Sequence, residues 1–236
     1  LNEKFETVKD ALKLFENDDL LSEPGKEFNY TTHGFTLVSA VLEKAAGKTF
    51  PKLLKSLCHD LGLQNTQLDV NKTIIDDRAS YYVRSKKVLE NCQEVDNSYK
   101  WAGGGILSNV RDLLVFGNAM LFSSQSDSSN TYLKRKTLND FWKGEIDASV
   151  NIRAALGWMR IDKVNVDGIK EKALPTIWYH TGGAVGSSSV LLISPTCMEV
   201  KGKENPDGIC IVMLCNLQDT PLLPLAREIE SLIRSH

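Results

Sequence analysis

Apolar residues recur at helical spacing through most of the first 150 positions, and recognisable start and stop residues bracket them. Phe5, Val8, Leu12 and Phe15 predict an amphipathic helix over 3–17, broken by Ser22-Glu23-Pro24-Gly25. Phe28-Asn29-Tyr30 reads as short and extended. Thr31 and Thr32 then cap a helix with the apolar run Phe35, Leu37, Val38, Val41 and Leu42, closed by Gly47 at a left-handed position. Pro51 opens the next helix, which carries Leu53, Leu54 and Leu57 and ends near Gly62. Residues 64–100 are polar and less regular, with a short strand expected over Ala79 to Val83. Trp101-Ala102-Gly103-Gly104-Gly105 reads as a sharp loop. Ser108 reads as the N-cap of a helix that buries Leu113, Leu114, Phe116, Met120 and Leu121. Ser123 to Asn130 is expected to be a mobile Ser-rich loop, and Leu133 to Trp142 another helix.

The last third changes character. Strands are expected over Ala155 to Ile161, Ile177 to His180, Ser187 to Ile193 (stopped by Pro195) and Ile209 to Leu214. The last has consecutive apolar residues, so both of its faces should be covered. Leu222 to Ile233 predicts a closing amphipathic helix. Helices, then strands, then one helix describe a segregated α+β chain rather than alternating βαβ units. The organisation expected is one domain over 1–236, mostly helical over 1–150, with sheet strands and a C-terminal helix over 151–236. There are no internal repeats.

Composition narrows the function without naming it. The 236 residues are 42% hydrophobic and 25% charged, ordinary values for a globular chain. Lys+Arg number 28 against 30 Asp+Glu, a net charge of -2, which leaves no electrostatic footprint for nucleic acid or an anionic membrane. The five cysteines (Cys58, Cys92, Cys197, Cys210, Cys215) are odd in number and scattered, which argues against a disulfide framework. His33, His59, His180 and His236 show no metal-ligand spacing, so no metal site is expected. No apolar run is long enough to span a bilayer. The chain starts Leu1-Asn2-Glu3-Lys4, without Met, and upstream sequence is expected to lie outside it.

Three clusters could carry chemistry. Tyr30-Thr31-Thr32 puts a phenol and hydroxyls at a helix N-terminus, a setting suited to proton transfer and hydrogen bonding. A Thr cap beside a half-buried Tyr is the plainer account of the same residues. His180-Thr181-Gly182-Gly183, immediately after an expected strand, can present an imidazole, a hydroxyl and backbone N–H groups to one oxygen atom. A hairpin turn that needs glycine only for positive φ explains it equally. Trp101 to Gly105 permits close approach of a ligand, or simply makes a loop. The acidic pairs Asp18-Asp19 and Asp76-Asp77 and the basic run Arg84 to Lys87 read as solvated surface, and Cys210 and Cys215 as core packing.

In this order the clusters resemble the serine β-lactamase and penicillin-binding-protein family, in its class C-like branch and most of all that branch's metazoan mitochondrial members. Phe28 to Phe50, Asp96 to Leu121 and Tyr179 to Pro195 carry the likeness, with Tyr99-Lys100-Trp101-Ala102-Gly103-Gly104-Gly105 between the first and last motifs. The resemblance implies a β-lactamase/transpeptidase-like fold, an antiparallel sheet with flanking helices plus a helical subdomain. It also implies the mechanism, with no organic cofactor. A Ser of an S-x-x-K motif attacks an amide or ester carbonyl and forms an acyl-enzyme, while Lys and Tyr share the proton traffic. Carried over by position, Tyr30 is the proton-shuttle Tyr and Thr32 stands where Asn is common. His180-Thr181-Gly182 replace Lys-Thr-Gly at the substrate carboxylate site, and the Gly183 N–H is the second oxyanion donor.

No Ser stands three residues before a Lys; Thr49-Phe50-Pro51-Lys52 and Thr131-Tyr132-Leu133-Lys134 match the spacing with Thr only. The nucleophile, its Lys, the first strands and the central helix are therefore expected upstream of Leu1, in the other half of the same protein, and this chain alone is expected to be inactive. His in place of Lys predicts weak β-lactam turnover and a preference for peptide or ester acyl groups, and the intact protein is expected to act on peptide or amide bonds. By the same resemblance the protein is a mitochondrial, intermembrane-space homo-oligomer that forms filaments, with membrane association an open question. Two rivals remain: a lipid or small-ester esterase on the same fold, and a catalytically silent scaffold.

Overall fold

The computed structural model describes residues 3–162, 176–197 and 205–235. They form an α+β chain in two compact units. One comprises Leu1–Asp112, Gly182–Ser188 and Cys215–Thr220; the other comprises Leu113–Thr181, Ser189–Leu214 and Pro221–His236. Among the described residues no helix is long and apolar enough to cross a membrane.

The first unit is built from α1 (Val8–Leu12), α2 (Thr32–Ala46), α3 (Phe50–Leu61), β1 (Gln67–Leu68), β2 (Tyr82–Ser85), β3 (Val88–Asn91), a 3-10 turn at Ser98–Lys100, α4 (Trp101–Gly104), β4 (Ile106–Leu107) and the start of α5 (Val110–Gln125). The expected first helix shrinks to five residues, capped by Thr7, whose hydroxyl accepts from the Asp10 N–H. α2 and α3 match their punctuation closely. Thr31 Oγ1 accepts from the His33 N–H, and Gly47 and Gly62 end the two helices with φ of 61° and 70°. α2 nonetheless buries Thr36 and Ser39 and exposes Leu37, Val38, Val41 and Leu42. The Thr36 hydroxyl donates to the Tyr99 carbonyl at 2.8 Å, which satisfies the polar group that burial would otherwise penalise.

Two expectations for this stretch need correction, and a third, the solvated basic run, holds. Trp101 to Gly104 is a helical turn rather than a loop. The cap of α5 is Asn109, whose Oδ1 accepts from the Asp112 N–H at 2.9 Å, while the Ser108 hydroxyl pairs with Thr66. The Arg84–Lys87 run forms the tip of a β2–β3 hairpin. Lys86 and Lys87 there take φ of 48° and 87°, the left-handed values a tight two-residue hairpin turn requires.

The second unit holds the rest of α5, α6 (Arg135–Trp142), β5 (Ile146–Ser149), β6 (Ile152–Ala154), β7 (Met159–Ile161), most of β8 (Ile177–Ala184), β9 (Ser187–Pro195) and β10 (Gly208–Cys215), and α7 (Leu222–Arg234). The sheet runs β10-β9-β8-β7-β6-β5, with antiparallel pairing from β5 to β8. β5 and β6 had no counterpart among the expected strands.

Two apolar clusters hold this unit. Met120, Leu121, Leu138, Trp142, Trp158, Trp178 and Ile193 form one. In it Trp142 stacks on Trp178 at 4.6 Å between ring centroids and takes the Trp178 indole N–H on its carbonyl. Val190, Leu192, Ile211 and Tyr179 meet α7 in the other, around Ala226. β10 contributes Cys210 to the first cluster and Ile209, Ile211 and Met213 to the second, so both of its faces are covered, although only Ile211 is fully buried.

The Ser-rich segment corrects the sequence reading most. Ser123, Ser124 and Gln125 finish α5 and are wholly buried. The Ser123 hydroxyl accepts from the Leu133 N–H, Ser124 donates to the Leu121 carbonyl, and the Gln125 amide bonds the Cys197 carbonyl and both backbone groups of Asp207. α7 is fastened in a similar way. The Glu230 carboxylate accepts from the Ser194 hydroxyl at 2.7 Å and pairs with Arg234, whose guanidinium also reaches the Ser194 carbonyl at 2.9 Å.

Candidate active site

Tyr30 immediately precedes the Thr31 cap of α2 and is 48% exposed. Thr31 spends its hydroxyl on the helix end, so the next hydroxyl, Thr32, is the first on the helix itself. The first-turn N–H groups that Thr31 leaves unsatisfied and the helix dipole make this end electropositive, a field that favours negative charge developing on a substrate. α4 closes on the same point. Gly103 sits so near Thr32 that a Cβ there would stand 2.8 Å from the Thr32 carbonyl oxygen. The glycine-rich segment thus supplies room for the start of α2. His33 stacks on Phe15 at 5.0 Å and meets the edge of Tyr99 at 6.2 Å, fixing the first turn of α2 from both sides.

His180, Thr181, Gly182 and Gly183 do not follow a strand; they lie inside β8, which runs on to Ala184. The turn comes at Val185-Gly186, and Gly186 carries the positive φ, 79°. Thr181, Gly182 and Gly183 are exposed and His180 half-buried. The boundary between the two units falls between Thr181 and Gly182. Tyr30, Thr32, Gly182 and Gly183 thus belong to the first unit, His180 and Thr181 to the second. His180 Nδ1 lies 2.6 Å from the Thr181 carbonyl oxygen. A carbonyl cannot donate, so Nδ1 bears the proton, and in the neutral ring Nε2 is an acceptor that becomes a donor only on protonation.

The turn after β8 is held tightly within the first unit. A Cβ at Gly186 would fall 2.3 Å from Tyr81 Cβ. The Gly186 N–H donates to Gln218 Oε1 at 3.2 Å, and its carbonyl accepts from the Tyr82 N–H at 3.4 Å. Gln218 had no signal in the sequence, because its only mark is a contact made across the fold.

Around α4, burial pushes the phenols of Tyr81 and Tyr99 up; the nearby Asp69 carboxylate adds to the effect at Tyr81. Burial pushes Lys100 down, against the pull of Asp69. Among the described residues no three His, Cys, Asp or Glu side chains gather as metal ligands would. All five cysteines are free thiols.

A beta-lactamase family model matches residues 1–232. This chain belongs to the beta-lactamase family. Within it, the chain is 40% identical over 245 residues to the serine beta-lactamase-like protein LACTB, mitochondrial, of Mus musculus, covering 97% of this chain and 44% of that protein. The human protein of the same name is 39% identical, over 97% of this chain and 45% of its own length. The chain therefore spans less than half the length of the curated relatives it matches. Solved structures share the beta-lactamase fold. A penicillin binding protein from Bacillus halodurans superposes with a TM-score of 0.74 at 18% identity, over 97% of this chain and 63% of its own. A D-amino acid amidase from Ochrobactrum anthropi superposes at 0.72 and 17%, over 100% of this chain and 65% of its own.

Proposed function

We propose that this chain carries the Tyr-x-Thr and His-Thr-Gly parts of a serine hydrolase that works through an acyl-enzyme on peptide or amide bonds, with weak or no turnover of β-lactams. The observation that carries the reading is the exposed Tyr30 at the capped start of α2, where Gly103 of α4 presses on Thr32. Family membership supports it. The nucleophile belongs to a Ser-x-x-Lys pair, which these 236 residues do not contain.

In this reading the serine oxygen bonds the substrate carbonyl carbon as its proton passes to the Lys–Tyr30 pair. Tyr30 then delivers a proton to the leaving nitrogen as the C–N bond breaks. The Gly183 N–H donates to the oxyanion. Thr32 hydrogen-bonds the substrate amide, and His180, Thr181 and Gly182 take the place of the family's carboxylate-binding Lys-Thr-Gly. A water molecule then attacks the ester, and the serine recovers its proton. A His in place of Lys removes a permanent positive charge from this motif, which favours substrates without a carboxylate there. The mitochondrial names of the relatives support a mitochondrial location.

The test uses the full-length protein. Wild type should be labelled by a fluorophosphonate serine probe and hydrolyse a chromogenic peptide amide, and Tyr30→Phe should lower kcat by about 10²–10⁴-fold, the range of a lost acid–base group. Full activity in Tyr30→Phe would end the proton-shuttle role. Ester hydrolysis without amide hydrolysis would favour the esterase reading, and no labelling at all the scaffold.

A further inference from the structure

Asp69 is a buried carboxylate to which the proposed reaction gives no task. It is 3% exposed and follows β1 directly. A carboxylate this deep is retained only with partners, and Asp69 gathers three in the first unit. Its Oδ1 pairs with the Arg78 guanidinium at 2.8 Å. Its Oδ2 accepts from the Asn97 amide at 2.7 Å and from the Tyr81 hydroxyl at 3.5 Å. Its backbone is also engaged: the carbonyl accepts from the Trp101 indole at 3.3 Å, and the N–H donates to the Gly105 carbonyl at 2.8 Å.

These partners are the two supports of the candidate site. Trp101 and Gly105 bracket α4, which presses Gly103 onto Thr32 two residues from Tyr30. Gly105 is itself wedged, because a Cβ there would lie 3.0 Å from Trp101 and 3.1 Å from Asn97. On the other side, Tyr81 fills the space that a Gly186 side chain would need, and Tyr82 bonds the Gly186 carbonyl. Gly186 closes the turn three residues after Gly183.

We propose that Asp69 is a positioning residue: through α4 and through Tyr81 it sets the start of α2, with Tyr30 and Thr32, and the turn that follows Gly183, both at once. The proposal rests on the acyl-transfer reading for what those groups do, and on geometry alone for what holds them. Asp69 touches no reacting atom. Its part is to keep a proton donor and an oxyanion donor at fixed places, where an error of one ångström costs about 10²-fold in rate.

The experiment compares Asp69→Asn with Asp112→Asn in the full-length protein. Asp112 is equally buried and accepts from the Asn65 N–H and the Thr66 hydroxyl, so it holds the start of α5 and neither support of the site. Both variants are assayed where circular dichroism shows them folded. Hydrogen–deuterium exchange is followed in peptides covering 28–36 and 183–188, alongside kcat and KM for the peptide amide. Asp69→Asn is expected to speed exchange in both peptides and to lower kcat by about tenfold or more with KM changed less than about twofold. Asp112→Asn is expected to do neither. Unchanged exchange in either peptide overturns the proposal, and so does faster exchange with unaltered kcat. If wild type shows no acyl transfer, the functional reading falls, and the exchange data alone decide whether Asp69 holds the two segments.

Discussion

Gly103 and Thr32 are in backbone-to-backbone contact, with no room between them for a single methyl group. Replacing Gly103 by Ala must move either α4 or the first turn of α2, because the obstruction is the Thr32 main chain, at 2.8 Å, rather than a flexible side-chain end. Overpacking of this kind costs about 1–3 kcal/mol. Gly103→Ala should lower the midpoint of urea unfolding and reduce kcat for the peptide amide, whereas Gly104→Ala, with nothing within 4 Å of its Cβ, should leave both nearly unchanged.

His180→Lys should raise the rate of acylation by penicillin in the full-length protein. A permanently charged ammonium replaces a ring whose Nδ1 proton is already given to the Thr181 carbonyl and whose Nε2 attracts an anion only when protonated. Stopped-flow acylation with a fluorescent penicillin reads the effect. No improvement would remove His180 as the element that sets selectivity.

Cys210 should resist alkylation in the folded chain. Burial pushes its thiol up to about 12, so almost no thiolate exists at neutral pH. Iodoacetamide followed by mass mapping should leave Cys210 largely unmodified in the folded chain, and denaturant should make its alkylation fast. Early modification of Cys210 would mean that the strand carrying it opens readily.

Alkaline pH should weaken the fold. Burial holds the phenols of Tyr81, Tyr99 and Tyr179 above their ordinary 10.0, so the folded chain keeps protons that the unfolded chain has lost. That contribution is fully present below pH 10.0 and disappears as pH rises through the folded-state values. Lys100, pushed down by burial, acts in the opposite sense up to its ordinary 10.5, so the decline is best read in Lys100→Met. Thermal unfolding followed beside phenolate absorbance should show the midpoint falling while the native tyrosines titrate later than denatured ones.

The elements with local punctuation were legible in the sequence. Thr31 and Gly47 bound α2, Pro51 and Gly62 bound α3, and α7 follows from its apolar stripe, because caps and periodicity act within a few residues. Misreadings occurred where long-range contacts overrode local composition. Ser123, Ser124 and Gln125 look like loop residues, yet they are buried because Leu133, Cys197 and Asp207 satisfy them from afar. Gly182 and Gly183 look like a turn, yet the sheet carries them as strand and Gly186 makes the turn. The motif residues Tyr30, Thr32, His180, Thr181, Gly182 and Gly183 could be singled out from order and spacing. Asp69 and Gln218 could not, since an isolated Asp or Gln has no signature until the fold gathers its partners.

The fastening of α7 has an energetic consequence. Glu230 sits almost fully buried, and its cation comes one helical turn later, with Arg234. Removing that guanidinium leaves a carboxylate sealed in the interior with no counter-charge, a defect worth about 3–5 kcal/mol. That is a large part of a typical domain's stability. One side chain on the last turn of α7 thus decides whether the helix and β9 hold together at Ser194.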